Sequence, residues 1–158
     1  MKNIVLARID DRLIHGQVMA KWLKKLAFNT IYVVDNDVAK DVFLCQMMRS
    51  IAPKDVKVMI QGEADAIAAL SGEADVAEKI CVITKTPEVF ERLIQGGVSI
   101  QEIMLGGMGS RAGRKPLIRN AAASEEERAT FKRLIASGVR VYYQDIPETK
   151  PTDLDKKL

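Results

Sequence analysis

The chain has 158 residues and a nearly balanced charge, with 24 basic and 21 acidic side chains and a formal net charge of +3. This length predicts one domain with its own core, and the balanced charge and few aromatic side chains give no reason to expect a nucleic-acid partner. No apolar run is long enough to cross a bilayer, and the amino-terminal segment lacks the pattern of a secretory signal. We therefore expect a cytoplasmic globular protein.

The patterns of strands and helices alternate along the chain. In chain order they predict a strand at 3–8, a helix at 16–27, a strand at 30–34, a helix to about 51, a strand at 56–60, a helix at 63–70, a strand at 80–84, a helix at 87–95, a strand at 101–105, a short extended piece at 117–121, a helix at 125–137 and a strand at 139–144.

Side chains at three helix starts are suited to capping. Residues 35–37 are acidic or amide and are expected to cap the second helix. Thr86 is expected to cap the fourth helix, with Pro87 at its first position. Ser124 and Glu127 form a capping-box pattern at the start of the last helix.

The alternation predicts a single α/β domain with an open, mostly parallel sheet and helices on both faces. We expect this domain over residues 1–146, with the polar segment 147–158 as a partly mobile tail of the same domain. Ligands of such sheets bind beyond the carboxyl ends of the strands. These ends, which we expect to share one rim, carry residues 8–15, 35, 61–62, 84–85 and 106–107.

The only histidine, His15, lies in the run RIDDRLIHGQV at residues 8–18, where a strand turns into a helix. A histidine changes charge near neutral pH, and one of its ring nitrogens can also carry a phosphoryl group. Arg12 lies three residues before His15, and its guanidinium could clamp the oxygens of that group; Arg8 is a second candidate. The pattern therefore points to a phosphoryl site on His15.

Two further features of the run fit this hypothesis. Gly16 and Gln17 begin the helix, and their N–H groups lack intrahelical partners, so a phosphoryl group on His15 could accept hydrogen bonds from them. Asp10 or Asp11 could pair with an arginine, or could accept a proton from the imidazole and thereby select its tautomer.

Several other interpretations stay open at this point. His15 could be the general base of an enzyme that binds a small molecule, or it could only make contacts in an interaction module. The Gly106-Gly107-Met108-Gly109 loop matches neither the dinucleotide fingerprint nor the P-loop, and its glycines could serve only unusual backbone angles. Cys45 and Cys81 lie in apolar runs and are expected to be buried, reduced thiols; with one histidine they form no zinc set, and no cofactor is expected.

Residues 8–18, with Trp22 after them, resemble the signature of enzyme IIB of the mannose/fructose/sorbose family of the bacterial phosphoenolpyruvate-dependent sugar phosphotransferase system. Residues 84–87 resemble the family's threonine-containing turn, and residues 106–115 resemble its second glycine loop. The helix that begins at Ser124 also fits, so the resemblance covers residues 2–145, nearly the whole domain.

The resemblance implies a relay. A phosphorylated IIA protein, itself charged by the phosphocarrier protein HPr, would donate to Nδ1 of His15, and the group would pass to a sugar held by the membrane components IIC and IID. The protein would then lie at the inner face of the membrane through these partners. Nothing precedes Met1 in this sequence, so we expect a free-standing IIB subunit. The identity of the sugar and the formation of a homo-oligomer are left open.

The resemblance also implies roles for individual residues. Arg12 would be needed for transfer to the sugar, and Asp10 would support the site. A weaker set of phosphoryl contacts carries over to Arg8, Thr84, Gly106 and Gly107. Separately from the resemblance, their position near the histidine leads us to expect apolar residues such as Leu13, Ile14 and Met108 on the partner surface.

Overall fold

The computed structural model describes residues 1–158, which form nine strands and five α-helices. The strands are β1 Ile4–Asp10, β2 Thr30–Val34, β3 Lys57–Gln61, β4 Ile80–Thr84, β5 Glu102–Gly107, β6 Lys115–Ile118, β7 Ala121–Ala123, β8 Arg140–Tyr143 and β9 Thr152–Asp153. The helices are α1 Gly16–Leu26, α2 Val42–Ile51, α3 Glu63–Leu70, α4 Pro87–Gln95 and α5 Glu125–Ala136.

Seven strands form one sheet in the order β3-β2-β4-β1-β5-β8-β9. All neighbours are parallel except β9, which pairs antiparallel with β8, and β6 and β7 form a separate antiparallel hairpin. The predicted single-domain α/β fold is confirmed. No helix combines the length and the apolar character needed to cross a membrane.

Helices cover the sheet on both faces and divide the core in two. On one face, α1 and α2 contribute Met19, Trp22 and Met48 to a cluster of 13 buried residues. On the other face, α3, α4 and α5 contribute to a cluster of 24, in which Phe90 and Phe131 are fully buried. The strands between them are almost continuously buried, which explains their unbroken apolar runs.

The strands β1 and β5 are neighbours in the sheet, and the connections that follow them run to opposite sides of it. From β1 the chain continues through α1 to β2 on one side, whereas from β5 it continues through α5 to β8 on the other side. The loop after β1 and the segment at Gly106 and Gly107 therefore lie side by side, as expected if the carboxyl ends of the strands share one edge of the sheet.

Three local predictions need correction. The Asp35 side chain accepts from the Val38 N–H at 2.9 Å, at the start of the 3₁₀ turn Val38–Lys40, whose N-cap residue Asp37 makes no side-chain capping bond. The helix α2 is capped by Asp41. The predicted helix therefore consists of two pieces. Thr86 occupies the N-cap position of α4, but its side chain makes no capping bond. The Ser124–Glu127 capping box is present as predicted.

The carboxyl-terminal half shows further differences. Gly106 and Gly107 belong to β5 and not to a loop. The single extended piece predicted at 117–121 is the β6–β7 hairpin. The segment after Pro147, predicted to be a partly mobile tail, adds β9 to the sheet and buries Leu154 completely, because this apolar side chain can reach the core only when the segment packs on the sheet. Both cysteines are free, but Cys45 is only half-buried.

Candidate functional site

The loop between β1 and α1 is a tight turn anchored in the core. The Leu13 N–H donates to the Asp10 carbonyl at 2.9 Å, and Leu13 has a φ of 60°, a left-handed conformation that costs an ordinary residue about 1–2 kcal/mol. Burial of Leu13 and Ile14 in the core offsets this cost. The prediction that Leu13, Ile14 and Met108 face a partner is wrong, because all three are buried.

Asp10, at the end of β1, is the centre of the site. Its side chain is fully buried, and Oδ1 accepts hydrogen bonds from Arg12 N at 3.1 Å and Nε at 2.8 Å. Oδ2 accepts from Arg12 Nη2 and His15 Nε2, both at 2.9 Å, and from Arg8 Nη2 at 3.2 Å. Three side chains of the run therefore meet on one carboxylate.

The surroundings keep this carboxylate ionised. Burial by itself would raise the pKa of Asp10, but the hydrogen bonds from His15 and Arg12 and the charge of Arg8 hold that pKa well below its usual value. Asp10 is therefore an anion across the physiological pH range. It accepts protons in hydrogen bonds and donates none.

The hydrogen bond to Asp10 orients the imidazole of His15. His15 is the residue before α1, and its side chain is 23% exposed. Because an ionised carboxylate can only accept, Nε2 carries the proton that it donates to Asp10, whether the ring is neutral or charged. In the neutral ring Nδ1 is then the unprotonated nitrogen, and it forms no hydrogen bond within the protein. The arrangement presents a nucleophile.

The first turn of α1 lies directly beyond His15. The first helical hydrogen bond runs from Met19 N–H to the His15 carbonyl, so the N–H groups of Gly16 and Gln17 have no intrahelical partner. Both residues are exposed, and no acidic side chain occupies this turn. An anion next to His15 would therefore meet free donors and the positive end of the helix dipole.

The two glycines of β5 lie against the site. The register between β1 and β5 shifts from the pair Ile9–Leu105 to the pair Asp10–Gly107, so Gly106 is an extra residue in a β-bulge. A Cβ on Gly107 would lie 3.1 Å from Arg12 Nη2, so glycine there allows the guanidinium to lie close to the strand.

Arg8 and Thr84 do not lie where an incoming group could contact them. Arg8 is 1% exposed, and its guanidinium is held by Asp10 and by backbone carbonyls. Thr84 is fully buried next to Ile9 on the neighbouring strand, and its hydroxyl donates to the Thr86 carbonyl at 3.0 Å. The structure brings both residues beside the site, but beneath its surface.

A second set of residues, not predicted as a unit from the sequence, braces the loop. Asp11 Oδ2 accepts from the Gly109 N–H at 2.7 Å and lies 3.5 Å from Arg114 Nη1. The Arg114 side chain is 1% exposed and pairs with Glu127 through Nε at 2.9 Å and Nη2 at 2.8 Å. The brace joins the first loop, the segment after β5 and the start of α5. These residues are far apart in sequence, so no local pattern reveals the contact.

His15 does not line the main groove of the protein, and it is not part of a metal-binding cluster. A groove of about 560 Å³ lies along the face of β1 next to α1, lined by residues that include Trp22, Met104 and Tyr142, and His15 is not among them. No cluster of three or more His, Cys, Asp or Glu side chains is arranged to hold a metal ion. The imidazole instead opens onto the surface at the carboxyl edge of the sheet.

The protein is thus an open α/β domain that presents its single histidine at the edge of the sheet, with one ring nitrogen free and the other held by a buried carboxylate. The family described as the sorbose subfamily IIB component of the PTS, the phosphotransferase system, matches residues 4–158. The chain therefore belongs to this mannose/sorbose family of IIB components, which are phosphotransferases of sugar transport.

Relatives and solved structures agree with this assignment. The mannose-specific EIIAB component of Escherichia coli strain K12 is 33% identical in an alignment of 158 positions that covers 98% of this chain and 49% of that protein, so the chain spans about half its length. The N-acetylgalactosamine-specific enzyme IIB component 2 of the same strain is 32% identical over the full length of both chains. The crystal structure of the IIBSor domain of the sorbose permease from Klebsiella pneumoniae matches with a TM-score of 0.93 and 28% identity, covering 98% of this chain and 95% of that one.

Proposed function

We propose that the protein is a phosphohistidine intermediate. Nδ1 of His15 accepts a phosphoryl group from a phosphorylated IIA protein and passes it to a sugar held by membrane components IIC and IID. The observation that carries this proposal is the 2.9 Å hydrogen bond between His15 Nε2 and Asp10, because it leaves Nδ1 as the free nitrogen. Residues 1–146 and the segment 147–158 act as one domain, in the cytoplasm and bound to the membrane only through these partners.

The chemistry needs little beyond alignment and charge. Nδ1 attacks the phosphorus while the bond between phosphorus and its carrier atom on IIA breaks. In the second step the Nδ1–P bond breaks as a sugar hydroxyl attacks, and the hydroxyl proton passes to the released Nδ1. The phosphorylated ring keeps its Nε2 proton and is cationic, so the carboxylate of Asp10 stabilises it, as a carboxylate does for an imidazolium. Positioning and electrostatic stabilisation supply most of the catalysis of phosphoryl transfer.

The phosphoryl oxygens would be held by Arg12 and by the helix start. The Arg12 side chain is 52% exposed and uses Nε and Nη2 on Asp10, so its Nη1 edge is left for an anion. The hydrogen bond to Asp10 raises the pKa of the Arg12 guanidinium, which therefore stays charged during turnover. The N–H groups of Gly16 and Gln17 contribute the remaining donors. Arg8 and Thr84 are left out of this set, because both are buried.

The proposal is tested by charging the protein in solution. Incubation with labelled phosphoenolpyruvate, enzyme I, HPr and a matching IIA protein should give one label per chain, stable in alkali, labile in acid and located on the peptide that contains His15. Omission of IIA should prevent labelling. Turnover of a free metabolite without IIA, together with no label, would contradict the proposal and favour a general base.

Arg12→Lys is expected to slow transfer to the sugar more than charging by IIA. Lysine keeps the charge, but it cannot contact Asp10 and a phosphoryl group with a planar, forked set of donors. We expect a fall of about tenfold to a hundredfold in the rate of sugar phosphorylation, equivalent to about 1.4–2.8 kcal/mol. Single-turnover rates of the two half-reactions provide the measurement.

Arg111→Lys is the matched control for this change. Arg111 is 62% exposed and lies 3.7 Å from Glu127, and it has no contact with Asp10. Both half-reactions should therefore keep nearly normal rates in this variant. An equal loss of both half-reactions in Arg12→Lys would show that Arg12 only holds the loop together.

A further inference from the structure

The side chain of Arg8 links three strands of the sheet beneath the site. From β1 it passes across β5 to the end of β8, where Nη1 donates to the Gln144 carbonyl at 2.9 Å and Nη2 to the Asp145 carbonyl at 3.0 Å. Nη1 also lies 3.0 Å from Met104 Sδ, and Nη2 donates to Asp10 Oδ2 at 3.2 Å. A buried cation with this many fixed partners has a single orientation.

Arg8 and Arg12 hold the Asp10 carboxylate in different ways. The Arg12 side chain is half exposed, so a group that binds at the surface can contact it and shift its position. Arg8 is buried, and backbone carbonyls fix its position. Arg8 and His15 bond to the same oxygen, Oδ2. The position of Oδ2 under the imidazole is therefore set from below by Arg8.

Gly106 provides the space for this guanidinium. A Cβ built on Gly106 would overlap the guanidinium carbon and two nitrogens of Arg8, so any side chain there would displace it. The β-bulge at this residue keeps the strand close to Arg8 while Gly107 returns to pair with Asp10. Glycine is required here for the close approach of a side chain from another strand.

We propose that Arg8 is a positioning residue of the site, which acts through Asp10 to hold Nε2 of His15 as the protonated nitrogen and Nδ1 as the free one, and that Gly106 makes room for it. The inference deepens the proposed function and rests on it for the meaning of Nδ1. It assigns Arg8 no contact with the phosphoryl group. We expect Arg8 to contribute about tenfold to a hundredfold to the rate of charging, the size of effect seen for residues that orient metal-ligating histidines.

The first readout needs no phosphoryl donor. ¹⁵N spectra of the imidazole at a pH where His15 is neutral should show a single Nε2–H tautomer in the wild type. Arg8→Lys, which cannot reach Asp10 and β8 together, and Gly106→Ala, which keeps every polar group, should both show a mixture of tautomers. Gly96→Ala is the matched control, because its Cβ would lie 2.7 Å from Ile67 Cδ1, in a clash remote from the site. This control should keep the single tautomer.

The second readout is charging by phosphorylated IIA. We expect Arg8→Lys and Gly106→Ala to be charged about tenfold to a hundredfold more slowly, and Gly96→Ala at the wild-type rate. Slow charging combined with a tautomer mixture supports the inference. Wild-type tautomer and rate in the two site variants, or slow charging with an unchanged tautomer, would overturn it and leave Arg8 a purely structural role.

A measurement on the wild type covers the case in which neither variant folds. The Arg8 guanidinium should give separate, slowly exchanging N–H signals, because its donors are held by Asp10, Gln144 and Asp145. A single averaged signal would overturn the inference. Failure of the proposed function would look different: the wild type would show the single tautomer and yet accept no label.

Discussion

Replacement of His15 by alanine is expected to abolish phosphoryl labelling. His15 is the only histidine of the chain, and its Nδ1 is the ring nitrogen that the hydrogen bond to Asp10 leaves free for the proposed attack. The variant should fold, because the side chain is 23% exposed and makes no capping bond to α1. Asp10 would keep both arginines, so the loss of one hydrogen bond should lower the free energy of unfolding by about 1 kcal/mol.

The measurement is label per chain after charging, combined with a denaturant titration. His15→Gln is the informative control, since its amide N–H can still donate to Asp10 but it offers no ring nitrogen. It should retain stability and take up no label. Labelling of the alanine variant at the wild-type level would place the acceptor elsewhere and remove the basis of the proposed function.

Replacement of Asp10 by asparagine is expected to have the second large effect, on both stability and transfer. The side chain is fully buried and compensates two arginines, of which Arg8 is also buried, and loss of one partner of a buried ion pair costs about 3–5 kcal/mol. The neutral amide would neither select the Nε2–H tautomer nor stabilise a cationic phosphorylated ring. We expect charging to fall by about 10²–10⁴-fold.

Asp11→Asn is the matched control, because it removes the same charge one residue further along. The Asp11 side chain is 29% exposed, and an asparagine oxygen can still accept from the Gly109 N–H. Its unfolding free energy should change by less than about 1 kcal/mol. If Asp11→Asn and Asp10→Asn proved equally slow in charging, the special role of Asp10 would be contradicted.

The stability effect of Asp10 should depend on pH in a defined direction. An aspartate in an unfolded chain has a pKa of about 3.9, whereas the pKa of Asp10 in the folded protein lies well below that. Its contribution is therefore complete above about pH 5 and is lost as the pH falls through the unfolded and then the folded pKa. The difference in unfolding free energy between the wild type and Asp10→Asn should shrink as the pH falls below about 4, where Asp10 becomes protonated in the unfolded chain. A difference that grew in acid would refute this.

Local patterns predicted the order and type of the principal elements well. The bounds of β2, β4 and α3 are those expected, because these elements have short apolar runs between clear turn or cap residues. Errors occurred where a tertiary contact outweighed the local signal. The β5 strand continues through Gly106 and Gly107 because both pack against side chains of β1, although glycine pairs usually indicate a loop.

For residues 8–18, the sequence predicts the chemistry of the site but only some of its contacts. Its chemical groups and its place between a strand and a helix could be predicted, and His15, Asp10 and Arg12 do meet. The burial of the Arg8 side chain could not be predicted, because its carbonyl partners lie 136 and 137 residues further along the chain. The burial of Leu13 and Ile14 likewise depends on α1 closing over the loop.

The class of fold, the position of the one histidine and the types of charged groups near it are predictable from the residues alone, since these follow from periodicity and from residues close together in the chain. Which nitrogen of His15 is free, and which arginine faces the solvent, depend on contacts between distant parts of the chain. The physical reason is that a hydrogen bond depends on direction as well as on proximity. The direction of the Asp10 carboxylate is set by strands that come together only in the folded sheet.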